Sequence, residues 1–248
     1  MKNNGQIQVV SATIKGALHK AKGLPCQDYG CFKKTKDKVV AIVSDGAGSA
    51  KYSKIGAKVV CETLCDILIN SNIDNIKNNV SAAIEVARQK LMLHKNNRTK
   101  SEAGLIDFSA TLVGFFYHKN AGVLFHIGDG AGIAFSKGNY DDFIISEPEN
   151  GAFLCETYFY TMQDWRSFLR FTKIENADRV LLMTDGVTCF VFSDDFYKIQ
   201  RRFLVPVIEY LENEPRKTYA EKALCNTLAD RKAQRINTDD KTLLWVKL

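Results

Sequence analysis

Three apolar runs in this 248-residue chain stop at an Asp-Gly pair: residues 39–44 before Asp45-Gly46, residues 123–128 before Asp129-Gly130, and residues 180–184 before Asp185-Gly186. Another acidic pair, Asp239-Asp240, directly precedes the closing run Leu243-Leu244-Trp245-Val246, and Asp28 follows Cys26-Gln27 near the start. Carboxylates at strand ends repel one another if a fold gathers them, so gathering them calls for positive charge. A pair of hard divalent cations supplies it most simply. Mg²⁺ and Mn²⁺ take oxygen ligands in octahedral geometry and keep several waters. Two such ions about 4 Å apart can share a hydroxide that attacks phosphorus in line, with no side-chain nucleophile. On this ground the chain reads as an enzyme.

A lone Asp-Gly pair has a plainer reading as a turn, because glycine accepts positive φ and the Asp side chain caps its own backbone. Asp129 fits that reading as well, since Gly130 leads straight into the next apolar run. Asp45 and Asp185 are harder to explain that way, because each ends a buried run and enters a segment that cannot be a two-residue hairpin. After Asp45 comes Gly46-Ala47-Gly48-Ser49-Ala50, a loop opening a helix, whose amides and helix N-terminus favour a nearby anion. A glycine after a ligand also lets its own carbonyl approach a metal.

Several elements must position these corners. Residues 7–13 and 39–44 read as strands, the second apolar enough to be covered on both faces. Ile55, Val59, Val60, Leu64, Ile67 and Leu68 follow the three-and-four spacing of a helix, and Ile76, Val80, Ala83, Ile84, Ala87 and Leu91 repeat it, before a polar stretch over residues 96–102. Runs over residues 111–117, 122–127, 132–136 and 143–146 are separated by gaps too short for a crossover helix, so neighbours run antiparallel. Residues 180–183 form another strand. Helices are expected over residues 195–211, where Pro206 should kink or split the helix, and over residues 219–231. Residues 242–246 close the sheet. The predicted class is α+β: two antiparallel sheets face to face with helices on their outer sides. To be buried, the last strand must return beside earlier ones, which brings Asp239 near the Asp-Gly corners.

Composition bounds the partners. With 46% hydrophobic and 25% charged residues the chain is ordinary globular protein, and its length leans toward one domain over residues 1–248. A chain this long buries about three quarters of its unfolded surface and needs no staples. The seven cysteines are odd in number and irregularly spaced, and none forms a Cys-x-x-Cys pair. Cys61 and Cys65 lie one helical turn apart as buried thiols, and His19, His94, His118 and His126 are scattered, so no zinc site is expected. Reduced thiols point to the cytoplasm. Met1-Lys2-Asn3-Asn4-Gly5 lacks the apolar core of a signal peptide, and no apolar stretch approaches a membrane span. The net charge of +6 is spread along the chain, which argues against a nucleic-acid partner and leaves a mild bias toward anionic substrates.

At these residues the chain resembles the metal-dependent serine/threonine protein phosphatases of the type 2C (PPM) family, in its bacterial form. Gly16, His19, Gly23 and Pro25-Cys26-Gln27-Asp28 resemble its N-terminal acidic motif, and Val43-Ser44-Asp45-Gly46-Ala47-Gly48-Ser49 its central one. Ser109-Ala110-Thr111 with His126-Ile127-Gly128-Asp129-Gly130, then Leu181-Leu182-Met183-Thr184-Asp185-Gly186, and Thr238-Asp239-Asp240-Lys241-Thr242 follow in the family's order. The resemblance implies a four-layer α-β-β-α sandwich with two Mn²⁺ or Mg²⁺ ions, and a weaker third, at one end. It implies that Asp45 bridges the metals, that the Gly46 carbonyl binds one, and that Asp185 and Asp239 bind the other. Asp28 would hold metal-bound water, and Asp129 matches an optional third-metal position. Asp239 is preferred to Asp240 because Thr242 stands three residues after the ligand in the family pattern.

Three positions depart from that pattern. The arginine that grips phosphate would fall at Gly23, leaving His19, Lys20 or Lys22 as substitutes, with His19 and Lys22 the candidate phosphate-binding residues. Ala47 replaces the histidine proposed as general acid in some members. Cys189 replaces an acidic third-metal ligand, and a soft thiol serves Mg²⁺ poorly. The implied activity is metal-dependent hydrolysis of phosphoserine and phosphothreonine in proteins, with a phosphorylated protein substrate, a cognate kinase and neither nucleic acid nor membrane as partner. Other readings are a non-catalytic relative that binds phosphoproteins, and a phosphoaspartyl or receiver-type domain using Asp45, which would need a parallel sheet. The aromatic-rich residues 148–172 fit either a substrate-selecting flap or an edge strand with a packed helix.

Overall fold

The uninterrupted apolar runs become strands with a protein layer on each face. The computed structural model describes residues 6–149, 157–193 and 196–248. In β1 (Gln8–Ile14), β9 (Arg179–Met183) and β10 (Lys241–Lys247), successive side chains alternate between two separate cores. Val9, Val180, Leu182, Leu244 and Val246 pack between the sheets, while Val10, Leu181, Met183, Leu243 and Trp245 pack on the outer, helix-covered side. Strand side chains alternate faces, so a strand buried on both sides must be apolar at every position.

One sheet has the order β1-β10-β9-β6-β7, with β6 (Ala131–Ser136) and β7 (Asn139–Ser146). The other runs β2-β3-β4-β5-β8, built from β2 (Tyr29–Lys34), β3 (Lys38–Ser44), β4 (Leu112–His118), β5 (Ala121–Ile127) and β8 (Arg170–Ile174). Every pairing between these strands is antiparallel. On the outer face of the second sheet, α2 (Ser53–Leu68) and α3 (Ile76–Leu93) pack Val60, Leu64, Val80 and Ile84 against Val40, Ile42, Phe116 and Phe125. The first sheet is covered by α4 (Asp185–Val191), α5 (Arg201–Asn213) and α6 (Lys217–Ala229), and the short helices α1 (Ala17–Ala21) and α7 (Arg231–Ile236) flank one end. This is the expected α-β-β-α sandwich, of class α+β.

Register puts the acidic corners at one end. Tyr29 pairs with Ser44, Val43 with Val113, Leu112 with Ile127, Ala131 and Leu243 with Met183, and Ile14 with Lys241. Asp28, Asp45, Asp129, Asp185 and Asp239 each lie one or two residues beyond these pairs.

Some elements differ from expectation. Strand β2 was not expected, and β8 begins within residues 148–172, for which an edge strand was one of two readings; both are sheet edges, and half-exposed edges carry no continuous apolar run. The helix expected from residue 195 begins at Arg201, and Asp195 itself lies outside the described residues, as do residues 1–5 and residues 150–156 of the aromatic segment. Pro206 does not split α5, which runs unbroken to Asn213. Proline removes a single backbone bond, and buried Leu204, Ile208 and Leu211 hold the helix on both sides of it. No helix among the described residues is long and apolar enough to cross a membrane.

Leu182→Ala empties space between the sheets at a side chain with 0% exposure. We expect a loss of about 2–5 kcal/mol in urea unfolding, whereas an unchanged midpoint would contradict the inter-sheet packing.

Candidate functional site

Asp45 leaves β3 with its backbone fixed from both sides. Its amide donates to Thr111 Oγ1 at 2.9 Å, and its carbonyl accepts from the Thr111 amide at 2.8 Å. The next amide to bond across is Ala47, donating to the Ser109 carbonyl at 2.9 Å. Gly46 therefore pairs with Ala110 in an isolated bridge whose bonds leave its own carbonyl uninvolved. A side chain here is barred: a Cβ would lie 2.8 Å from the Ser53 backbone and 2.9 Å from the Gln27 carbonyl oxygen. The loop after it differs from the open anion nest expected, because Ala47 and Ala50 spend their amides on Ser109 and Ala47, and α2 starts only at Ser53.

Asp28 is 3% exposed, and its Oδ2 accepts from Thr184 Oγ1 at 2.7 Å. Thr184 Oγ1 in turn accepts from the Thr242 amide at 3.0 Å, so a threonine joins the segments carrying Asp28, Asp185 and Asp239. Asp28 and Asp45 lie close enough for each to perturb the other's carboxyl. Asp185 opens α4, half-buried, within reach of the charges of Asp129, Asp239 and Asp28. Asp129 Oδ2 accepts from Thr157 Oγ1 at 2.6 Å, and Asp239 lies close enough to raise the Asp129 carboxyl further.

The electrostatics are those of a bare acidic cluster. Burial pushes the Asp28 carboxyl up to about 6, against the pull of hydrogen bonds from Asp45 and Thr184. Burial, then the charges of Asp129, Asp239 and Asp28, push Asp185 up to about 8. Asp45 is raised well above the carboxylate range by burial first and by Asp28 and Asp185 next. Three buried oxygens, Asp28 Oδ1, Asp129 Oδ1 and Asp185 Oδ1, meet no hydrogen-bond donor among the described residues. Orphaned anionic oxygens from separate segments fit hard divalent cations. Among the described residues no three His, Cys, Asp or Glu side chains already converge tightly enough to grip an ion. Bare carboxylates repel and stand apart where a cation would draw them in.

The adjacent acidic residues at 239 and 240 have different surroundings. Asp239 is half-buried beside the cluster, and its carbonyl accepts from Lys241 Nζ at 2.9 Å. Asp240, 1% exposed, accepts from the Gly16 amide at 2.7 Å, the Gln27 amide at 2.6 Å and His19 Nδ1 at 2.8 Å. It clamps the stretch leading into Asp28 onto the stretch carrying Asp239. His19, expected to meet phosphate, thus commits Nδ1 to Asp240 and is 8% exposed, while Lys22 stands in solvent at the end of α1. Gly23, where an arginine would fit the family pattern, has φ +66 and ends α1 in the left-handed turn glycine favours. His126 is buried with Nδ1 3.1 Å from Ser146 Oγ, and burial keeps it neutral. Cys189 is exposed, with Asn237 Nδ2 3.9 Å from its sulfur. Asp240 was weighed in the sequence only as the rejected alternative to Asp239, Thr184 and Thr111 stood unremarked inside the quoted motifs, and Thr157 was not singled out.

Residues 15–229 match the family model described as Protein phosphatase 2C. No curated relative matches the chain in sequence. Among solved structures, the chain resembles PppA, a key regulatory component of T6SS in Pseudomonas aeruginosa, at 15% identity and TM-score 0.68 over 98% of both chains. It resembles the serine/threonine phosphatase Stp1 from Staphylococcus aureus at 13% identity and TM-score 0.64, over 100% of this chain and 97% of that one. The catalytic domain of the serine threonine protein phosphatase PstP, solved in complex with two manganese ions, matches at 15% identity and TM-score 0.64 over 98% of both chains. Likeness at these identities establishes the shared fold.

Two outcomes follow from the geometry. A carboxyl raised in the folded state binds more protons folded than unfolded, so its contribution declines as pH rises through the raised value. Metal-free protein should therefore melt lower at pH 8.5 than at pH 5.5, and Mn²⁺ should restore the melting temperature most at the higher pH; a flat profile would contradict the crowding. Asp240→Ala, losing three accepted hydrogen bonds, should cost about 3 kcal/mol or more in chemical unfolding and weaken Mn²⁺ binding in calorimetry.

Proposed function

The chain belongs to the protein phosphatase 2C family, and from that premise we propose that it is a Mn²⁺- or Mg²⁺-dependent phosphatase hydrolysing phosphoserine and phosphothreonine in proteins. The observation that carries this reading is the acidic end of the sandwich, where the carboxyls of Asp28, Asp45, Asp129 and Asp185 are all raised beside Asp239 and three buried oxygens lack donors among the described residues. Asp45 and the Gly46 carbonyl, with Asp185 and Asp239, would hold two ions, and Asp129 a weaker third. When bound, the ions supply Lewis acidity and make water a nucleophile near neutral pH.

The chain's own groups do the rest. Asp28, fixed by Thr184, accepts a proton from the attacking water or orients it toward phosphorus. Asp45 is held by Thr111 on both its amide and its carbonyl, so its carboxylate needs little reorganisation. Ala47 offers no acid, so the departing seryl or threonyl oxygen takes its proton from solvent. Exposed Lys22 is the cation proposed to meet the phosphate dianion, and His19 can contribute only Nε2. The partners proposed are a phosphorylated protein and its Ser/Thr kinase, in the cytoplasm. A receiver-type reading through Asp45 is disfavoured, since no strand pairing among the described residues is parallel.

The test is hydrolysis of an aryl phosphate with Mn²⁺, with and without chelator, for wild type, Asp45→Ala and Asp239→Ala. Metal-dependent turnover should fall at least ~10²-fold in either variant, given the several kcal/mol such ions contribute. Equal rates in all three would refute the site. Tight Mn²⁺ binding without turnover would indicate a phosphoprotein-binding relative instead.

A further inference from the structure

A groove of about 980 Å³ opens beside the acidic end, between the loop after Asp45, the 3₁₀ turn Glu102–Phe108 and the segment from Tyr158 to Phe168. Two of its lining residues are chain neighbours of residues that touch the site. Ser109 lines the groove and precedes Ala110, the bridge partner of Gly46. Tyr158 lines it and follows Thr157, whose hydroxyl donates to Asp129. A polypeptide whose phosphorylated side chain enters the acidic end therefore has this groove as a path for its flanking residues.

The lining has a definite chemistry. Tyr158 and Phe168 stack with centroids 3.6 Å apart, and Ile106 is 73% exposed, an apolar surface with no partner to cover it. Glu102, Asp107 and Asp164 supply the carboxylates along the groove. The one cation among its lining residues is Arg88, which is 1% exposed and already donates to the Tyr160 and Met162 carbonyls and to Glu102. Arg88 fastens the wall and offers little to a ligand. The groove is thus acidic and apolar within a chain of net charge +6.

We propose that this groove selects phosphoprotein substrates carrying a basic residue beside an apolar one near the phosphorylated serine or threonine, an inference that rests on the phosphatase reading above. The apolar side chain covers Ile106 and the Tyr158–Phe168 stack, and the Lys or Arg side chain meets Asp107 and Asp164. Acidic flanking sequences meet like charge and are rejected, so the rim discriminates as well as attracts.

The experiment uses three phosphothreonine peptides with Arg-Leu, Ser-Ala or Glu-Asp flanks on either side. Their binding to the full chain is read by fluorescence anisotropy with Mn²⁺ present and a non-hydrolysable phosphonate in place of the phosphate ester, and aryl phosphate hydrolysis with Mn²⁺ is measured separately. The Arg-Leu peptide should bind at least ~10-fold more tightly than the Glu-Asp peptide. Asp164→Lys and Ile106→Ser, both at exposed positions, should each remove most of that difference while aryl phosphate hydrolysis stays within about twofold. Equal binding of the three peptides, or a preference that survives both substitutions, would overturn the groove. Loss of aryl phosphate hydrolysis in wild type would instead overturn the phosphatase reading, with peptide binding still judging the groove.

Discussion

Carboxylates brought together at the end of a protein repel one another, and the arrangement of this chain is organised around that repulsion. Antiparallel pairing of β1 with β10 and of β10 with β9 sets β10 between the edge strand β1 and the central strand β9 of one sheet. The matching register of β2, β3, β4 and β5 in the other sheet delivers Asp28, Asp45 and Asp129 to the same side. Two sheets with a shared core between them hold these strand ends close, whatever the carboxylates would prefer. Burial first, and neighbouring carboxylates after it, leave Asp28, Asp45, Asp129 and Asp185 with carboxyls that hold protons more tightly than free aspartate does.

A second, fully bonded carboxylate makes that assembly stable. Asp240 is an anion buried more deeply than Asp239, yet it meets two amide donors and a histidine, so its charge is stabilised by hydrogen bonds within the protein. Neighbours in sequence thus divide the work: Asp240 secures the backbone of the Asp28 segment, and Asp239 remains at the cluster. Lys241 completes the turn by donating to the Asn237 and Asp239 carbonyls. The groove beside the site extends the same plan outward, since its walls are joined to Gly46 through Ala110 and to Asp129 through Thr157.

The sequence displayed the central strands clearly because they are buried on two faces, and a run such as Val39 to Val43 leaves no polar position to confuse it. Strand β2 escaped, and β8 stood only as one of two readings of its segment, because edge positions tolerate Lys33, Lys34 and Lys173. Helix α4 was hidden in the Asp185-Gly186 corner, being only 7 residues long. The candidate ligand positions were legible as residue types at strand ends. The roles of Asp240 and His19 were not, because a hydrogen-bond acceptor shows its partners only when Gly16, Gln27 and His19 are folded against it. Gly23 looked like a missing arginine; its left-handed conformation gives a physical reason for glycine at that position.

The claim that divalent cations balance this cluster is tested most directly by diffraction from crystals grown with Mn²⁺, using anomalous scattering to locate the metal. The account predicts two strong peaks about 4 Å apart, one on each side of the Asp45 carboxylate and bounded by Gly46, Asp185 and Asp239. A map with the carboxylates in place and no anomalous peak among them would contradict it.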